Sequence, residues 1–543
     1  MNNAIFSYDL PGNEPVKSYL PGSPERVALR TELNRLSAEV FDIPLIIGGK
    51  EIRTGDTGKV VMPHRHSHVL AHYHKASPKE VQMAIEAADK ARKAWADTPW
   101  VERMSVTLRA AELLATKYRA LINASTMLGQ SKNPFQAEID AAAETIDFLR
   151  FNAHFMGMIY ADQPISDIGI MNRVEYRALE GFIFAVTPFN FTSIAANLNM
   201  SPALMGNTTI WKPATTALFS NYFMMKIFQE AGLPDGVINF VPGKGSVIGN
   251  GLFGAPSFGG IHFTGSNATF NQLWKSAADN LPKYKAYPKI VGETGGKDFI
   301  FVHPSAGVDE VATAIVRGAF EYQGQKCSAA SRAYIPKSLW NDIKERMGGM
   351  LSEVRMGDPV DFTNFFNAVI DEASFDNIAD YIGKAKASAD VDVIFGGTCD
   401  KSEGYFIEPT VLLTRDPHFV TMEEELFGPV ITIFVYEDQK FEETLEICDH
   451  TSPYALTGAI FANERYAAIK AMDLLRHSAG NFYINDKPTG AVVGQQPFGG
   501  SRQSGTNDKA GSYLNLIRWV SPRTIKENFV PPTDFKYPFM QAD

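Results

Sequence analysis

Apolar residues recur at helical spacing in three stretches near the start of the chain. In residues 77–97, Ser77 occupies a position typical of an N-cap, a proline follows it, and Glu80 completes a capping box. The apolar residues after this start share one helical face: Val81, Ala84, Ile85, Ala88 and Ala91. Similar patterns predict helices over residues 101–125 and 137–155.

From about residue 208 the pattern changes to short apolar runs that alternate with helical stretches. Strands are predicted over 208–213, 237–243 and 260–266, and helices over 217–231, from Ser246 and from Asn267. This alternation predicts a parallel, doubly wound sheet of the α/β class. No G-x-G-x-x-G follows any of these strands, so the usual dinucleotide-binding fingerprint is absent.

A second alternating region begins at residue 297. It comprises predicted strands within 297–304, 331–336, 392–397 and 429–436, with a helix over 308–320. A chain of 543 residues exceeds what one core usually supports. We therefore predict two α/β domains that meet near Gly295–Gly296.

The composition indicates a cellular compartment and argues against some classes of partner. The three cysteines, Cys327, Cys399 and Cys448, lie far apart and predict a reduced, cytoplasmic environment. The first residues contain no basic lead before an apolar run, so no secretory or transit signal is expected. No stretch approaches the roughly 18 consecutive apolar residues of a membrane-spanning helix. The net charge of −10, with both signs interspersed, gives no sign of a nucleic-acid partner.

Five histidines lie within 11 positions of one another: His64, His66, His68, His72 and His74. Alternate residues of a strand share a face, so these imidazoles could bind zinc or nickel. No cysteine or carboxylate completes such a site, which favours a solvent-side hairpin between apolar residues. We assign no metal.

Cys327 lies in "GQKCSAASR", residues 324–332, among small and polar neighbours. A lone cysteine is most often a small buried apolar residue. Here Lys326 adjoins the thiol, and "GETGGKD" (292–298) supplies the Glu293 carboxylate in a glycine-rich turn. A thiolate nucleophile with a carboxylate as general base suits attack on a carbonyl carbon.

Seven segments give this pair a family context: "TPFNF" (187–191), "WKPATTA" (211–217), "FTGS" (263–266), "GETGGKD", "GQKCSAASR", "EEELFGPV" (423–430) and "QPFGGSRQSG" (496–505). Their order and spacing resemble the NAD(P)-dependent aldehyde dehydrogenases from about residue 43 to the C-terminus. Within that superfamily, residues 483–511 are similar to the 1-pyrroline-5-carboxylate (glutamate-semialdehyde) dehydrogenases. The resemblance implies NAD-dependent oxidation of L-glutamate 5-semialdehyde to L-glutamate, in proline catabolism.

The resemblance also implies catalytic roles. Cys327 is the expected nucleophile, and the Asn190 side chain with the Cys327 backbone N–H forms the expected oxyanion hole. Glu293 is the expected base that activates water against the thioester. Without this context, Asn190 and Glu293 would read as turn or cap residues.

The residues that the resemblance assigns to NAD are Thr187, Lys212, Thr215, Gly265, Ser266, Glu425 and Phe427. Gly265 and Ser266 precede a helix start whose free N–H groups suit a pyrophosphate. Many family members have glutamate where this chain has Thr215, and that carboxylate would repel the 2′-phosphate of NADP. NAD is the expected cofactor, with some use of NADP.

The residues assigned to the substrate are Glu144, Phe191, Ser328, Gly490, Ala491 and Phe498. The phenylalanines would sandwich the methylene chain, while Ser328 and the 490–491 backbone would bind the α-carboxylate. Ala491 replaces a serine that is frequent in the family, so one side-chain donor is lost. Glu144 matches a carboxylate near the ammonium, and an exposed helical glutamate is the alternative interpretation.

The resemblance divides the chain into an NAD-binding domain (1–162 and 181–294), a catalytic domain (295–511), and an oligomerisation hairpin and tail (163–180 and 512–543). Apolar and polar residues alternate over 512–530, which predicts a strand that joins the hairpin and pairs with another subunit. A homodimer or higher homo-oligomer is expected.

Three other functions stay open from the sequence. The chain could oxidise another semialdehyde, or pass the acyl group to coenzyme A, although retention of Glu293 favours hydrolysis. It could also be a catalytically silent binding protein of the same fold, which the intact Cys327, Glu293, Asn190 and Lys212 argue against.

Overall fold

Two seven-stranded sheets organise the chain, and the computed structural model describes residues 6–543. The strands of the first sheet follow the spatial order Lys289–Glu293, Phe258–Thr264, Phe182–Val186, Thr209–Lys212, Ile238–Phe240, Leu45–Ile47 and Lys50–Ile52. Neighbours run parallel, except that Leu45–Ile47 is antiparallel to the strand on each side.

The second sheet has the order Val391–Phe395, Thr410–Thr414, Val430–Tyr436, Ala330–Pro336, Asp298–Val302, Thr457–Phe461 and Asn481–Ile484. Its strands are parallel apart from the edge strand Val391–Phe395. Two short antiparallel pairs lie outside the sheets: Cys399–Asp400 with Phe406–Ile407, and Tyr454–Ala455 with Ser501–Arg502.

Successive residues of a strand point to opposite faces of its sheet. In both sheets, each face is covered by its own apolar cluster. In the first sheet, Ile210 joins one apolar cluster and Trp211 joins another. In the second, Phe299 and Ile300 separate in the same way. The predicted parallel, doubly wound α/β class is confirmed.

The first α-helix precedes the first strand, and the others lie in the connections between strands: Pro24–Ala38, Pro78–Asp97, Trp100–Ala115, Arg119–Gln130, Pro134–Ala137, Thr145–Ala161, Thr192–Leu204, Leu218–Glu230, Gly245–Phe253, Asn267–Asp279, Val308–Phe320, Lys337–Glu353, Glu372–Ala387, Val420–Glu423, Phe441–His450, Arg465–Leu474 and Tyr513–Leu516. The capping box of Ser77 and Glu80 is formed as predicted. Within residues 6–543, no helix is both long and apolar enough to cross a membrane.

The single helix predicted over 101–125 is wrong, because the chain turns between Ala115 and Arg119. At the turn, the side chains of Lys117 and Tyr118 both bond to Glu230. The break lets the helix before it pack against Thr145–Ala161 and the helix after it pack against Pro24–Ala38. Two different partners, rather than local propensity, decide this break.

The helix predicted over 137–155 contains a π-helical segment, Glu138–Glu144, between two α-helices. Two of its carboxylates are fully buried, those of Glu138 and Asp140. Each faces a buried cation, Arg119 for Glu138 and Lys132 for Asp140. Widened helical turns of this kind are frequent at functional sites.

The predicted pairing of the tail with the 163–180 region is confirmed within the chain. Strand Ile170–Ala178 runs antiparallel to Val520–Asn528 over their full lengths. The start of the predicted tail strand is wrong, since Tyr513–Leu516 is helical and a 3-10 turn continues to Trp519. Trp519 is fully buried against His262, so tertiary packing overrides the alternating pattern there.

The histidine cluster belongs to a hairpin of Thr57–Met62 and Arg65–His74, whose second strand also pairs with Phe41–Ile43. The hairpin is as predicted, but a solvent-side position is wrong for His64 and His74, which are buried. His64 contacts Ser131 Oγ at 3.2 Å, and His74 accepts two backbone N–H bonds. Both imidazoles therefore make structural hydrogen bonds inside the protein. Within residues 6–543, no group of His, Cys, Asp or Glu side chains is arranged to hold a metal ion.

Candidate active site

One edge of the first sheet collects residues from four strands. Each of the following ends a strand or directly follows one: Thr187, Lys212, Gly265 and Glu293. The two strands that follow Phe182–Val186 in the chain are added on one side of it, whereas strand Phe258–Thr264 pairs with its other side. Parallel sheets bind ligands outside the carboxyl ends of their strands at such a reversal.

The loop before Cys327 is held in an unusual backbone conformation. Tyr322, Gln323 and Gly324 all have positive φ, at 52°, 55° and 67°. A Cβ on Gly324 would lie 2.3 Å from the carbonyl oxygen of Gly428, so only glycine fits. Non-glycine residues adopt this region at a cost and persist there when surrounding contacts hold them, frequently at active sites.

Cys327 and Glu293 line one cavity of about 630 Å³. All six residues assigned to the substrate line it too: Glu144, Phe191, Ser328, Gly490, Ala491 and Phe498. These residues come from five separate segments of the chain. The structure therefore brings together the nucleophile, the base and the substrate residues that the sequence assigned.

The cavity also contains acidic groups that the sequence did not reveal. Glu14 and Asp147 line it together with Glu144. The Asn13 amide donates to Asp147 Oδ2 and to the Val493 carbonyl, both at 2.8 Å. The N-terminal segment thus ties a helix to the loop that contains Gly490, and no local pattern connects positions 480 residues apart.

Basic groups line the cavity as well. Lys326, which is buried, pairs with Glu321 at 3.1 Å, and Arg317 and Lys487 lie near the same glutamate. Lys487 also donates to the carbonyl of Thr489 at 2.9 Å. Only Lys326 had a signal in the sequence, as the neighbour of Cys327.

Burial shifts the pKa values of both Cys327 and Glu293. It raises the pKa of the Cys327 thiol well above its usual range, and the Glu293 carboxylate adds to the rise. Burial likewise raises the pKa of Glu293 to about 8, and the Lys509 ammonium opposes that shift. Lys509 is held by the carbonyls of Gly480 and Gly499 at 2.8 and 2.9 Å. A carboxyl with this pKa can both accept and release a proton near neutral pH.

Asn190 does not line the cavity but lies buried beneath the cysteine loop. Its side-chain amide donates to the carbonyl of Gln325 at 3.1 Å, two residues before Cys327. An asparagine amide has two N–H donors, so one remains for another acceptor.

The residues assigned to NAD lie at the sheet edge and beside the cysteine loop, outside the large cavity. Lys212 forms no salt bridge or side-chain hydrogen bond within residues 6–543, and burial alone lowers its pKa. Ser266 caps helix Asn267–Asp279 from an exposed position, and Thr215 is exposed as well. Thr187 accepts a bond from the indole of Trp211 at 2.9 Å. A lysine without an anion and an open helix N-terminus fit a phosphate-bearing group.

Glu425 and Phe427 line a small cleft beside the large cavity, and Lys326 lines both. Glu425 Oε1 accepts the N–H of Gly296 at 3.0 Å, and burial raises the pKa of Glu425 to about 7. A Cβ on Gly295 would lie 1.8 Å from Glu425 Oε2, so glycine there lets the carboxyl approach the backbone. This fixed carboxylate suits ribose hydroxyls.

The aldehyde dehydrogenase family matches residues 52–523. The mitochondrial delta-1-pyrroline-5-carboxylate dehydrogenase of Dictyostelium discoideum is 56% identical over 533 residues, which cover 98% of this chain and 96% of that protein. The mitochondrial enzyme of the same name from Homo sapiens is 47% identical over 530 residues, which cover 97% of this chain and 94% of that protein. A crystal structure of the Delta-pyrroline-5-carboxylate dehydrogenase from Mycobacterium tuberculosis bound with NAD superimposes with a TM-score of 0.97 at 51% identity, covering 100% of both chains.

Proposed function

The chain belongs to the aldehyde dehydrogenase family, and we propose that it oxidises L-glutamate 5-semialdehyde to L-glutamate with NAD. The observation that supports this most is a single cavity that contains Cys327, Glu293 and groups of both charge signs. The names of its relatives agree with this substrate. The semialdehyde forms 1-pyrroline-5-carboxylate by cyclisation, which places the reaction in proline catabolism.

In the proposed reaction, the Cys327 thiol loses its proton and attacks the aldehyde carbon to form a thiohemiacetal. Because burial raises the pKa of this thiol, its proton must first be released to solvent. The Cys327 backbone N–H would stabilise the oxyanion, together with the amide N–H of Asn190 that its bond to Gln325 leaves available. NAD, when bound, would supply the hydride acceptor that lets the thiohemiacetal on Cys327 become a thioester. Glu293 then takes a proton from the water that hydrolyses the thioester on Cys327.

The cavity walls suit an amino acid with a short chain. Glu144 would bind the ammonium, while Ser328 with the backbone of Gly490 and Ala491 would bind the α-carboxylate. The Ser328 hydroxyl is within 2.8 Å of Thr489 Oγ1, which fixes its position beside that backbone. The rings of Phe191 and Phe498 would enclose the methylene groups.

This recognition predicts strong discrimination between aldehydes. L-Glutamate semialdehyde should exceed pentanal in kcat/KM by at least about 100-fold, because two charge-assisted bonds to the carboxylate contribute roughly 1.5 kcal/mol each. NADH formation measured at 340 nm with both aldehydes checks this. Equal kcat/KM values would exclude the substrate assignment but leave a general aldehyde dehydrogenase.

Two variants refine the same experiment. Ala491→Pro deletes one N–H donor and should reduce the preference for the semialdehyde, whereas Ala491→Ser, which adds a hydroxyl, should keep or increase it. The assay also separates the alternatives. Another semialdehyde as the better substrate, acyl transfer to added coenzyme A, or no NADH at all would each select a different one.

For the cofactor, we propose that Lys212 and Thr215 face the adenosine ribose, that Gly265 and Ser266 face the pyrophosphate, and that Thr187, Glu425 and Phe427 face the nicotinamide half. The exposed Thr215 contributes no charge against a 2′-phosphate. NAD is the proposed cofactor, with residual use of NADP.

Thr215→Glu should lower kcat/KM with NADP at least about tenfold relative to NAD, a difference of about 1.4 kcal/mol, because the added carboxylate would repel the 2′-phosphate. Initial rates with both cofactors measure the ratio. Thr215→Gln, of equal size and no charge, is the matched control. An unchanged ratio in Thr215→Glu would place the ribose elsewhere.

We also propose the domain division given by the resemblance, and a homodimer or larger assembly built through strands Ile170–Ala178 and Val520–Asn528. Beside this pair, Ile165 and Ile168 are 90% and 98% exposed, which favours a covered interface. A cytoplasmic location is proposed from the cysteine content. Several relatives are named mitochondrial, so the mitochondrion is the alternative.

A further inference from the structure

A single hydroxyl lies between two carboxyl groups at the wall of the substrate cavity. Ser193 Oγ is 2.8 Å from Asp140 Oδ1 and 2.7 Å from Glu144 Oε2. Ser193 and Asp140 are fully buried, and Glu144 is half-buried at the cavity surface. A hydroxyl has one proton to donate, so it cannot donate to both carboxyl groups at once.

Asp140 is the carboxyl that faces a cation and backbone N–H donors. Its Oδ2 is 2.6 Å from the ammonium of Lys132. It also accepts the backbone N–H groups of Thr192 and Ser193, both at 3.1 Å, at the start of helix Thr192–Leu204. A cation, two N–H donors and a helix N-terminus all favour a negative charge there. The serine hydroxyl therefore donates to Asp140.

Glu144 must then supply the proton for its own contact with Ser193. Its carboxyl donates to Ser193 Oγ, and the Ser193 hydroxyl donates to Asp140. Burial and the nearby Asp140 carboxylate raise the pKa of Glu144 to about 8, with a smaller contribution from Asp147, while the hydrogen bond to Ser193 and the Lys132 ammonium oppose the rise. The other charged groups that line the same cavity are Glu14, Glu293, Arg317, Glu321, Lys326 and Lys487.

We propose that Glu144 is a neutral acid in the free enzyme, held by Ser193, and that binding of the substrate ammonium displaces its proton to solvent. The inference rests on the proposed function, because it takes Glu144 to face the ammonium. Neutral Glu144 and a ligand R–NH3+ give the ion pair of carboxylate and ammonium plus one released H+. Recognition of the amino group is thus coupled to the loss of one proton.

Release of this proton makes ligand binding depend on pH. Below pH 8, the free enzyme has a proton on Glu144 that the complex lacks, so a rise in pH favours binding. The affinity for an amino-bearing ligand should increase by up to about tenfold per pH unit between pH 6 and pH 7.5 and level off above about pH 8, until the ligand ammonium titrates.

L-Glutamate and glutarate are matched probes, because they share two carboxylates and the chain length and differ in the ammonium. Calorimetric titration at pH 7 in phosphate and in Tris, which differ in ionisation enthalpy, counts the protons released. L-Glutamate should release about one proton more than glutarate. Glu144→Gln, which keeps the shape and cannot ionise, should abolish that difference and weaken L-glutamate more than glutarate.

The outcomes separate this inference from the proposed function. Binding of L-glutamate with no more proton release than glutarate would overturn the inference and leave the substrate assignment intact. Proton release that persists in Glu144→Gln would also overturn it, because another group would then be titrating. Failure of L-glutamate to bind the parent enzyme would overturn the substrate assignment itself.

Discussion

Cys327→Ala should abolish dehydrogenation and leave NAD binding nearly unchanged. Alanine cannot attack a carbonyl carbon, and removal of a nucleophile typically costs several orders of magnitude in kcat, here at least about 10⁴-fold. The residues proposed for NAD lie at the sheet edge and in a separate cleft, so their positions do not depend on the sulfur. Turnover assays beside NAD titration by fluorescence quenching measure both quantities.

Cys399→Ala is the matched control for the cysteine prediction. Cys399 is a half-buried free thiol on a two-residue strand far from Cys327 in sequence, and it does not line the cavity. Its replacement should leave kcat within about twofold of the parent value, as for a substitution away from the chemistry. Substantial turnover in Cys327→Ala would show that another group is the nucleophile.

Glu293→Gln should slow thioester hydrolysis by roughly 10²–10⁴-fold, the usual contribution of a general base, and slow hydride transfer less. The amide keeps the size of the side chain but cannot accept a proton from water. Rapid mixing with saturating substrate should therefore show a burst of about one NADH per active site and then a slow steady rate.

The pH profile gives a second test of Glu293. Because the pKa of this carboxyl is about 8, the ionised fraction rises about tenfold per unit up to pH 8 and then levels off. Single-turnover hydrolysis in the parent enzyme should follow that curve, and Glu293→Gln should lose it. Glu403→Gln, at an exposed glutamate, is the control that should retain it. A mutant that turns over at the parent rate would rule out Glu293 as the base.

The two catalytic predictions and the proton coupling at Glu144 concern opposite ends of the substrate. Cys327 and Glu293 act on the aldehyde carbon, whereas Glu144 and Ser193 concern the amino group. Pentanal lacks the amino group, so its oxidation should show the Glu293 pH limb without the Glu144 effect on affinity. Comparison of kcat and KM for the two aldehydes can therefore assign each titration to one end of the cavity.

Local sequence determined the regular elements, because their signals lie within one or two turns. The capping box at Ser77 and the apolar face after it define helix Pro78–Asp97. Short apolar runs define strands such as Thr209–Lys212 and Asp298–Val302. The ordered motifs also assigned Cys327, Glu293 and the six substrate residues that the structure places around one cavity. Their catalytic and binding roles stay predictions.

Tertiary structure alone decided where the chain departs from these patterns and which distant residues meet. The predicted helix over 101–125 divides because its two parts pack on different helices, and residues 513–519 are helical rather than extended because Trp519 is buried. Asn13 reaches the cavity through contacts 134 and 480 residues away. Ser193 lies between Asp140 and Glu144 because the π-helical segment packs beside helix Thr192–Leu204. The periodicity of apolar residues indicates which face of one helix or strand is buried. These arrangements depend instead on packing and charge interactions between segments far apart in the chain.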